Sequence, residues 1–352
     1  MSDPTVTITV VNYNCARHLE KCLESVDAQT FRDHKLIIVD NASSDGSQIW
    51  LEDRRNEGWF RLIRNADNTG YCRAMNQAIA ASDSPYFFAL NPDVTPQPEY
   101  LEILVSALEE NPRAGYAIGK LLFTGRDNLD RPVVFSAGQL VARGRWAYNR
   151  GIDRPDAPRF DGRGFIPGAN GGAVVYRREF LRDVAIDGEI LDEDFFMYYD
   201  DIDMDWRAAL RGWGCWYEGR AIAYNVSKAT GFLDTPAGKY HFLRNRYLTI
   251  LKNDTLGALL RDAGAVAATE LREAWPYYLK NPRLIPQVAR GVWQLAPKIL
   301  RKRRLQRDCI RRGAQRAQTW REAAKNILRL DQAALYSFST EPQRTLRKKI
   351  KG

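Results

Sequence analysis

The sequence has few cysteines, and no two of them are closely spaced. Its 352 residues include five cysteines and three histidines. No C-x-x-C pair occurs, which argues against a zinc ribbon and against a disulfide framework. This cysteine usage favours a reduced, cytosolic protein. The cysteines are Cys15, Cys22, Cys72, Cys215 and Cys309.

The sequence also lacks a long apolar segment. No apolar run approaches the roughly 20 residues that a membrane-spanning helix needs. The first four residues, MSDP, show no basic segment followed by an apolar one, so we expect no signal peptide. These absences lead us to expect a cytoplasmic protein.

Positive charge is scarce in most of the chain and concentrated at its end. The net charge is +9, but residues 281–352 hold 19 Lys and Arg against four Asp and Glu, so the remainder is net acidic. A basic tail of this kind is typical of a segment that meets an anionic surface, either a membrane or a nucleic acid. A solvated helical face would give the same composition, and both interpretations stay open.

Apolar runs and helical patterns alternate along the first third of the chain. The alternation predicts parallel strands with right-handed crossovers, covered by helices on both faces. We expect Asn14 to cap the first helix. The predicted strands are Val6–Asn12, Lys35–Asp40, Arg61–Ile63 and Tyr86–Leu90.

The pattern becomes less regular in the middle of the chain. Residues 138–168 are rich in Gly, Pro, Arg and Asp and predict loops. Further strands are expected at residues 172–176 and 215–226, and a helix at residues 202–210. From about residue 240 onward the sequence predicts helices.

Polar side chains follow each of the four predicted parallel strands. In an open parallel sheet, ligands bind beyond the carboxyl ends of the strands. Asn, Asp, Ser and Gly also form ordinary turns and caps, but four successive strand ends carry them here. The segments at these ends are 12–14, 40–47, 68–70 and 91–93.

No glycine-rich phosphate loop follows the first strand. A G-x-G-x-x-G fingerprint would stand where the sequence reads NYNCAR, and no Walker A motif occurs. The usual substitute is a divalent cation held by a carboxylate, because Mg²⁺ or Mn²⁺ keeps coordination positions for diphosphate oxygens. Asp93, at a strand end, is the predicted ligand.

A dense run of carboxylates and aromatic residues spans residues 192–207. Crowded, partly desolvated carboxylates have raised pKa values, which suit a general base. Helix capping by Asp200 or Asp201, with Asp203 and Arg207 as an i,i+4 ion pair, is the structural alternative. We favour the structural interpretation for Asp203 and a catalytic role for Asp201.

Several of these segments together resemble glycosyltransferase family 2, and most of all its bacterial rhamnosyltransferase-like members. The resemblance runs from residue 6 to about residue 253. It implies a GT-A fold, which is an α/β fold with a Rossmann-like, mixed but mainly parallel sheet flanked by helices. The segments are TVVNYN, IIVDNASSDGS, NTGYCRAMN, FALNPDV, GGAVVYRREF, DEDFFMYYDDIDMDWRAALRGW and RNRYLTILKN.

The resemblance implies a donor site for a UDP- or dTDP-linked sugar. Asp40 would bond the pyrimidine, and the turn at residues 12–14 would lie against the same base. Arg73 and Asn76 would lie near the sugar or ribose, and Arg244 near the diphosphate. The expected donor-binding residues are Asn12, Tyr13, Asn14, Asp40, Asn68, Gly70, Arg73, Asn76, Asn91 and Arg244.

It also implies a metal-dependent, inverting transfer. Asp93 stands at the last position of the family's D-x-D metal motif. Asp200 and Asp201 stand where the family has Glu-Asp, whose second member is the catalytic base. A single displacement of this kind needs no covalent intermediate and no Ser–His or Cys–His pair. On the acceptor side we expect Gly172, Tyr199 and Trp206.

One departure from the family concerns the strand after the base. Relatives often carry a histidine there, whereas this chain has Asn225. A second contact to the metal or phosphate is therefore in doubt. The acceptor implied by the resemblance is a hydroxyl of a glycan or of a polyprenyl-diphosphate-linked sugar in cell-surface polysaccharide synthesis.

The basic tail begins with a helical stripe of apolar residues. Trp293 lies beside the stripe, and Arg301–Arg304 follow it. This composition favours peripheral contact with the cytoplasmic face of an anionic membrane. The alternative is a helix packed on the catalytic domain or used for homo-oligomer formation. The stripe consists of Leu284, Val288, Val292, Leu295 and Ile299.

Two other functions are weighed against a glycosyltransferase. A sugar nucleotidyltransferase uses a similar sheet but opens with a Gly-rich basic loop, which is absent here. A non-enzymatic basic module that binds membrane or nucleic acid would explain the tail, but aromatic-interleaved basic motifs are lacking, so we expect no nucleic-acid partner. We predict a catalytic domain at residues 1–253 and a basic, mainly helical region at residues 254–352.

Overall fold

The computed structural model describes residues 4–55, 58–128, 131–226 and 231–312. Four parallel strands form one half of its central sheet, in the order β4-β1-β2-β3. Each begins within one residue of its predicted start. They are β1 (Val6–Asn12), β2 (His34–Asp40), β3 (Arg61–Arg64) and β4 (Tyr86–Leu90).

The other half of the sheet is mixed. Strand β12 (Ala173–Arg177) lies antiparallel between β4 and β6 (Ala114–Asn128), and β13 (Gly214–Asn225) runs parallel to β6. Strand β13 also pairs antiparallel with β5 (Val94–Pro96) and β11 (Arg163–Ile166). The predicted mixed, mainly parallel α/β fold is confirmed.

Short strands occupy much of the region that the sequence predicted as loops. Strand β7 (Arg131–Ser136) pairs with β6, and β10 (Arg154–Pro155) pairs with β7. A hairpin of β8 (Gln139–Val141) and β9 (Ala147–Asn149) stands apart from the main sheet. The loop prediction for residues 138–168 was therefore wrong for β8 to β11.

Helices cover the sheet because each presents an apolar stripe to it. In the first helix, Leu19, Leu23 and Val26 are buried as their i, i+4, i+7 spacing predicts. The prediction that Asn14 caps this helix was wrong, because the helix begins later and Cys15 occupies the cap position. The helices up to the carboxylate run are α1 (Ala16–Asp27), α2 (Ser47–Arg55), α3 (Tyr71–Ala80), α4 (Tyr100–Glu110) and α5 (Arg178–Val184).

The rest of the described chain is helical apart from β13. Helix α6 (Asp200–Leu210) carries the predicted base, Asp201, in its first turn. Helix α7 (Pro236–Asn253) packs against the long last helix, α11 (Leu284–Arg312). A nearly continuous helical run joins these two, broken by a π-helical turn (Glu270–Ala274). The run contains α8 (Leu256–Arg261), α9 (Ala263–Thr269) and α10 (Trp275–Lys280).

The predicted apolar stripe of α11 faces the protein. Leu284, Val288 and Ile299 are buried, and Val292 and Leu295 are partly buried against the core. The interpretation of this stripe as a membrane-facing surface was therefore wrong. No helix among the described residues is long and apolar enough to cross a membrane.

Candidate active site

The ends of β1 and β2 meet through a buried side-chain hydrogen bond. Asn12 and Asp40 are register partners at the last position of these strands. The Asn12 Nδ2 donates to Asp40 Oδ1 at 2.8 Å, and it also lies within 3.0 Å of the hydroxyls of Ser43 and Ser47. Hydrogen bonds therefore join the ends of the first two predicted strands into one polar cluster.

The turn after β1 is locked against the turn after β2. Asn14 has a positive φ of 53°, and its Oδ1 accepts from the Ser44 backbone N–H at 2.8 Å. Asp45 accepts from the Ala16 N–H at 2.8 Å, so a carboxylate from the second turn caps α1. Tyr13, in the first of these two turns, is exposed at the edge of the sheet.

The third strand end joins the same edge through an amide network. Asn41 Nδ2 donates to Asn68 Oδ1 at 2.8 Å, and Asn41 Oδ1 accepts from the backbone and hydroxyl of Thr69. Gly70 follows with a φ of +84°, and a Cβ there would lie 2.5 Å from the Phe196 ring. A glycine is thus needed both for the backbone angle and for the close approach of residues 191–199, which we call the carboxylate segment.

Two residues that were predicted to bind the nucleotide-sugar donor support the carboxylate segment. The Asn76 side chain donates to Leu191 O at 2.8 Å and accepts from Leu191 N at 2.9 Å. Arg244 donates to the carbonyls of Asp194 and Phe195. The structure therefore brings Asn76 and Arg244 to the backbone of this segment. Arg73 lies exposed, 3.6 Å from Glu193.

The segment before α6 has an unusual backbone. Phe196, Tyr198 and Tyr199 all have positive φ values, between 65° and 68°. Such angles cost free energy in residues that carry a Cβ, and they persist only where surrounding contacts hold them. Asn245 supplies these contacts, because its Nδ2 lies within hydrogen-bond distance of the carbonyls of Phe195, Met197 and Tyr198.

Two adjacent carboxylates follow this strained segment at the start of α6. Asp201 accepts from the Ile202 N–H at 2.8 Å and from the Gly171 N–H at 3.3 Å. Burial raises the pKa of Asp201, and burial together with the neighbouring charge of Asp201 raises the pKa of Asp200 to about 8. Near neutral pH the pair therefore holds a proton, and its carboxylate is more basic than an exposed one.

The next carboxylates of α6 are structural. Asp203 lies 2.9 Å from Arg207 and 2.8 Å from Lys252, all three buried, which confirms the structural interpretation of Asp203. Asp205 accepts from the Tyr116 hydroxyl at 2.6 Å.

The predicted acceptor-side residues divide into two groups. Tyr199 and Trp206 are 5 % and 2 % exposed, so they pack beneath the carboxylate pair and offer no surface to an acceptor, contrary to expectation. Gly172 lies at the sheet edge, where its carbonyl accepts from the Asn91 N–H at 2.8 Å. Its neighbour Gly171 contacts Asp201, so the backbone at residues 171–172 joins the fourth strand end to the predicted base.

Asp93 lies next to the end of β13. The Val226 N–H donates to Asp93 O at 3.0 Å, and Asn225 pairs in register with Val94. The Asn225 side chain is buried, and its Oδ1 has no hydrogen-bond partner among the described residues. A carboxylate and an unpaired amide oxygen are hard oxygen ligands of the kind that Mg²⁺ and Mn²⁺ prefer.

These two residues fit a cation that is shared with a diphosphate. No group of three or more His, Cys, Asp or Glu side chains suited to a metal occurs in the described part of the chain. A cation that takes most of its ligands from phosphate oxygens and water needs few from the protein. The donor set is therefore consistent with a substrate-bridged ion rather than an all-protein cage.

Sequence reasoning missed the residues that support the site from a distance. Gln139 donates to Asp205 and to the Ala169 carbonyl, and it also contacts Asp201. Lys302, far along the chain, is buried among Glu189, Asp192 and Asp194. No local motif marks such residues, because their partners lie 66 and about 110 residues away.

Comparison with known proteins identifies related sequences. A family model described as "Glycosyl transferase family 2" matches residues 7–184. An N-acetylglucosaminyl-diphospho-decaprenol L-rhamnosyltransferase of Mycobacterium tuberculosis is 29 % identical over 254 residues, which cover 64 % of this chain and 77 % of that protein.

Solved structures share the fold at low sequence identity. TarS of S. aureus in complex with UDP is similar with a TM-score of 0.53 and 15 % identity, covering 90 % of each chain. GalNAc-T7 with UDP, GalNAc and Mn²⁺ has a TM-score of 0.55 and 13 % identity, and the match covers 71 % of this chain and 48 % of that one. At this identity the likeness establishes the fold and not the substrates.

Proposed function

We propose that this chain, which belongs to glycosyl transferase family 2, moves a sugar from a UDP- or dTDP-linked donor to a hydroxyl of a lipid-linked or glycan acceptor. The observation that carries the proposal is the placement of Asp201. Its partly buried carboxylate, whose pKa is raised, is tied through Gly171 and Gly172 to the sheet edge that carries Asp93. The mycobacterial relative, named for L-rhamnose transfer to a decaprenyl-linked acceptor, supports rhamnose as the sugar and a polyprenyl diphosphate as the carrier.

The nucleotide would bind over the joined ends of β1 and β2. Asp40 is held by Asn12 and would accept a hydrogen bond from the pyrimidine N3–H, while the exposed Tyr13 ring and the turn at Asn14 would lie against the base. Gly70, which is packed against Phe196, would lie on the donor side as well. Asn68, Asn91 and Arg73 would complete the donor side, and Asn76 and Arg244 would act through the segment that they support.

Asp93 and Asn225 are the residues that would hold a Mg²⁺ or Mn²⁺ ion. When bound, such an ion neutralises charge on the diphosphate leaving group. Asn225 would supply a neutral oxygen where relatives carry a histidine. This pairing leaves the Asp93 carboxylate as the charged protein ligand.

Asp201 would act as the general base of a single displacement. It would take the proton of the acceptor hydroxyl as that oxygen bonds to the anomeric carbon and the bond to the nucleotide diphosphate breaks, which inverts the anomeric centre. Asp200, whose pKa of about 8 keeps it protonated near neutral pH, would leave the negative charge on Asp201. The reaction would take place at the cytoplasmic face of a membrane.

The test is the Asp201→Asn variant. Asparagine keeps the shape and cannot accept the proton, so transfer should fall by about 10²–10⁴-fold while nucleotide binding changes little. Rates of nucleotide diphosphate release and calorimetric binding of UDP or dTDP measure the two effects separately. Asp200→Asn is the matched control and should retain far more activity; the reverse order would assign the base to Asp200.

A further inference from the structure

Exposed large apolar side chains are concentrated in the C-terminal helices. Of 12 such side chains among the described residues, eight lie between residues 256 and 300, and the other four are dispersed over the first 226 residues. A concentration of this kind marks an interaction surface more often than chance exposure. The eight are Leu256, Leu260, Leu271, Trp275, Leu279, Ile285, Trp293 and Leu300.

Five of the eight form one stripe along the helical run 256–280. They follow one another at helical spacing, and the gap between Leu260 and Leu271 is filled by the small exposed residues Gly264, Ala267 and Ala268. We call this stripe, formed by Leu256, Leu260, Leu271, Trp275 and Leu279, the outer stripe. Leu271 and Leu279 are 70 % and 66 % exposed, so the outer stripe faces away from the protein.

Acidic side chains of the same run point the other way. Asp262 lies 2.7 Å from the fully buried side chain of Arg145, and Glu270 lies 2.7 Å from Arg246. Glu273 accepts from the Tyr148 hydroxyl at 2.9 Å. The run thus turns its carboxylates inward and its leucines outward, which is the reverse of an ordinary surface helix.

The exposed charges around the outer stripe are basic. Arg261 and Arg272 are 61 % and 58 % exposed, although each also pairs with the acidic residue that follows it. Lys280, Arg283 and Arg290 are exposed as well. In a two-fold contact between copies of the chain, this positive surface would meet itself. An apolar stripe with a basic rim is instead complementary to the headgroup region of an anionic bilayer.

We infer that the outer stripe is a membrane-docking surface and that it lies in the headgroup region of an anionic lipid bilayer. The helical run lies flat on the bilayer, with Trp275 at headgroup level. The surface consists of residues other than the stripe of α11, which packs into the protein.

The docked run connects to the proposed base through a series of side-chain and backbone contacts. Glu273 contacts Tyr148, the neighbouring Asn149 lies 3.2 Å from Asn170, and Gly171 contacts Asp201. An acceptor sugar carried by a membrane lipid would reach Asp201 from the docked surface. This last step rests on the proposed function, whereas membrane docking does not.

Vesicle co-sedimentation of the full chain tests the inference. Wild type should bind vesicles of phosphatidylcholine mixed with phosphatidylglycerol at low salt, and bind them less at high salt or without the anionic lipid. The triple variant Leu271→Gln, Trp275→Gln, Leu279→Gln should bind about tenfold or more weakly, because it removes apolar insertion and leaves every charge in place. All three side chains are exposed, so the fold should survive.

Ile49→Gln is the matched control, because Ile49 is 62 % exposed on α2, and it should leave vesicle binding unchanged. Vesicle binding by the triple variant equal to wild type would overturn the inference, as would a full chain that ignores anionic vesicles. A wild-type dimer in analytical ultracentrifugation that the triple variant abolishes would instead make the outer stripe a self-association surface. Calorimetric nucleotide binding in the same samples, without vesicles, reports separately on the proposed function.

Discussion

Asn225 is the side chain whose surroundings bear most directly on the predicted cation site. Its amide is buried beside the Asp93 backbone, and its Oδ1 has no partner among the described residues. A buried acceptor without a partner costs free energy, and a bound cation would remove that cost. The unpaired oxygen therefore supports a role as a cation ligand.

This role predicts a specific effect on cation-dependent binding. Asp93→Asn should weaken nucleotide diphosphate binding in Mn²⁺ strongly, and Asn225→Ala should weaken it by a smaller factor, because a neutral ligand contributes less than a carboxylate. Neither variant should change nucleotide binding in EDTA. Calorimetry with and without Mn²⁺ measures both effects, and equal metal-dependent affinity in all three proteins would contradict the assignment.

Several residue-level features could be predicted from the sequence because they are local. The Asp203–Arg207 pair follows from the i,i+4 spacing, and the strand-end residues follow from where the apolar runs stop. The burial of Trp206 and the use of Arg244 on backbone carbonyls could not be predicted, because both depend on how α6 and α7 pack together.

At the scale of elements, α11 is held to the catalytic region by buried charge. The Lys302 side chain is 1 % exposed and lies within 2.9 Å of Glu189, Asp192 and Asp194. Asp192 also pairs with Lys252, which in turn pairs with Asp203 of α6. A continuous buried network therefore links the last helix to the helix that carries the predicted base.

This network predicts the effect of removing one cation. Lys302→Met should destabilise the protein by about 3 kcal/mol, because it leaves carboxylates buried without their partner. Lys298→Met is the matched control: Lys298 also pairs with Asp194 but is 46 % exposed, so its loss should cost less than about 1 kcal/mol. Urea unfolding midpoints compare the two, and equal midpoints would show that the buried network is unimportant for stability.

We predicted no strand at β6, although it is the longest strand that the structure describes. Its pattern is interrupted by Gly119 and by Lys120, whose amine is buried only because Asp156 and Asp161 meet it from a distant segment. A buried lysine inside an apolar strand is stable only when it is paired, and the pairing is invisible in the local sequence.

At the scale of the whole molecule, the C-terminal helices have two different faces. The five residues of the apolar stripe of α11 pack against the core, while the outer stripe of α8 to α10 remains uncovered. Apolar periodicity reveals that a helix has an apolar face but not what covers it. The sequence therefore predicted a helical C-terminal region correctly, but not that the apolar stripe of α11 faces the core.

The proposed activity is the transfer of a sugar with inversion at the anomeric carbon. It is tested directly by incubating the full chain with UDP- or dTDP-linked sugars, Mn²⁺ and a lipid-linked saccharide acceptor, and by determining the product by NMR. We expect a glycoside whose anomeric configuration is opposite to that of the donor, together with one nucleoside diphosphate released per glycoside. A product with retained configuration, or formation of a sugar 1-phosphate with loss of the nucleotide as a monophosphate, would contradict it.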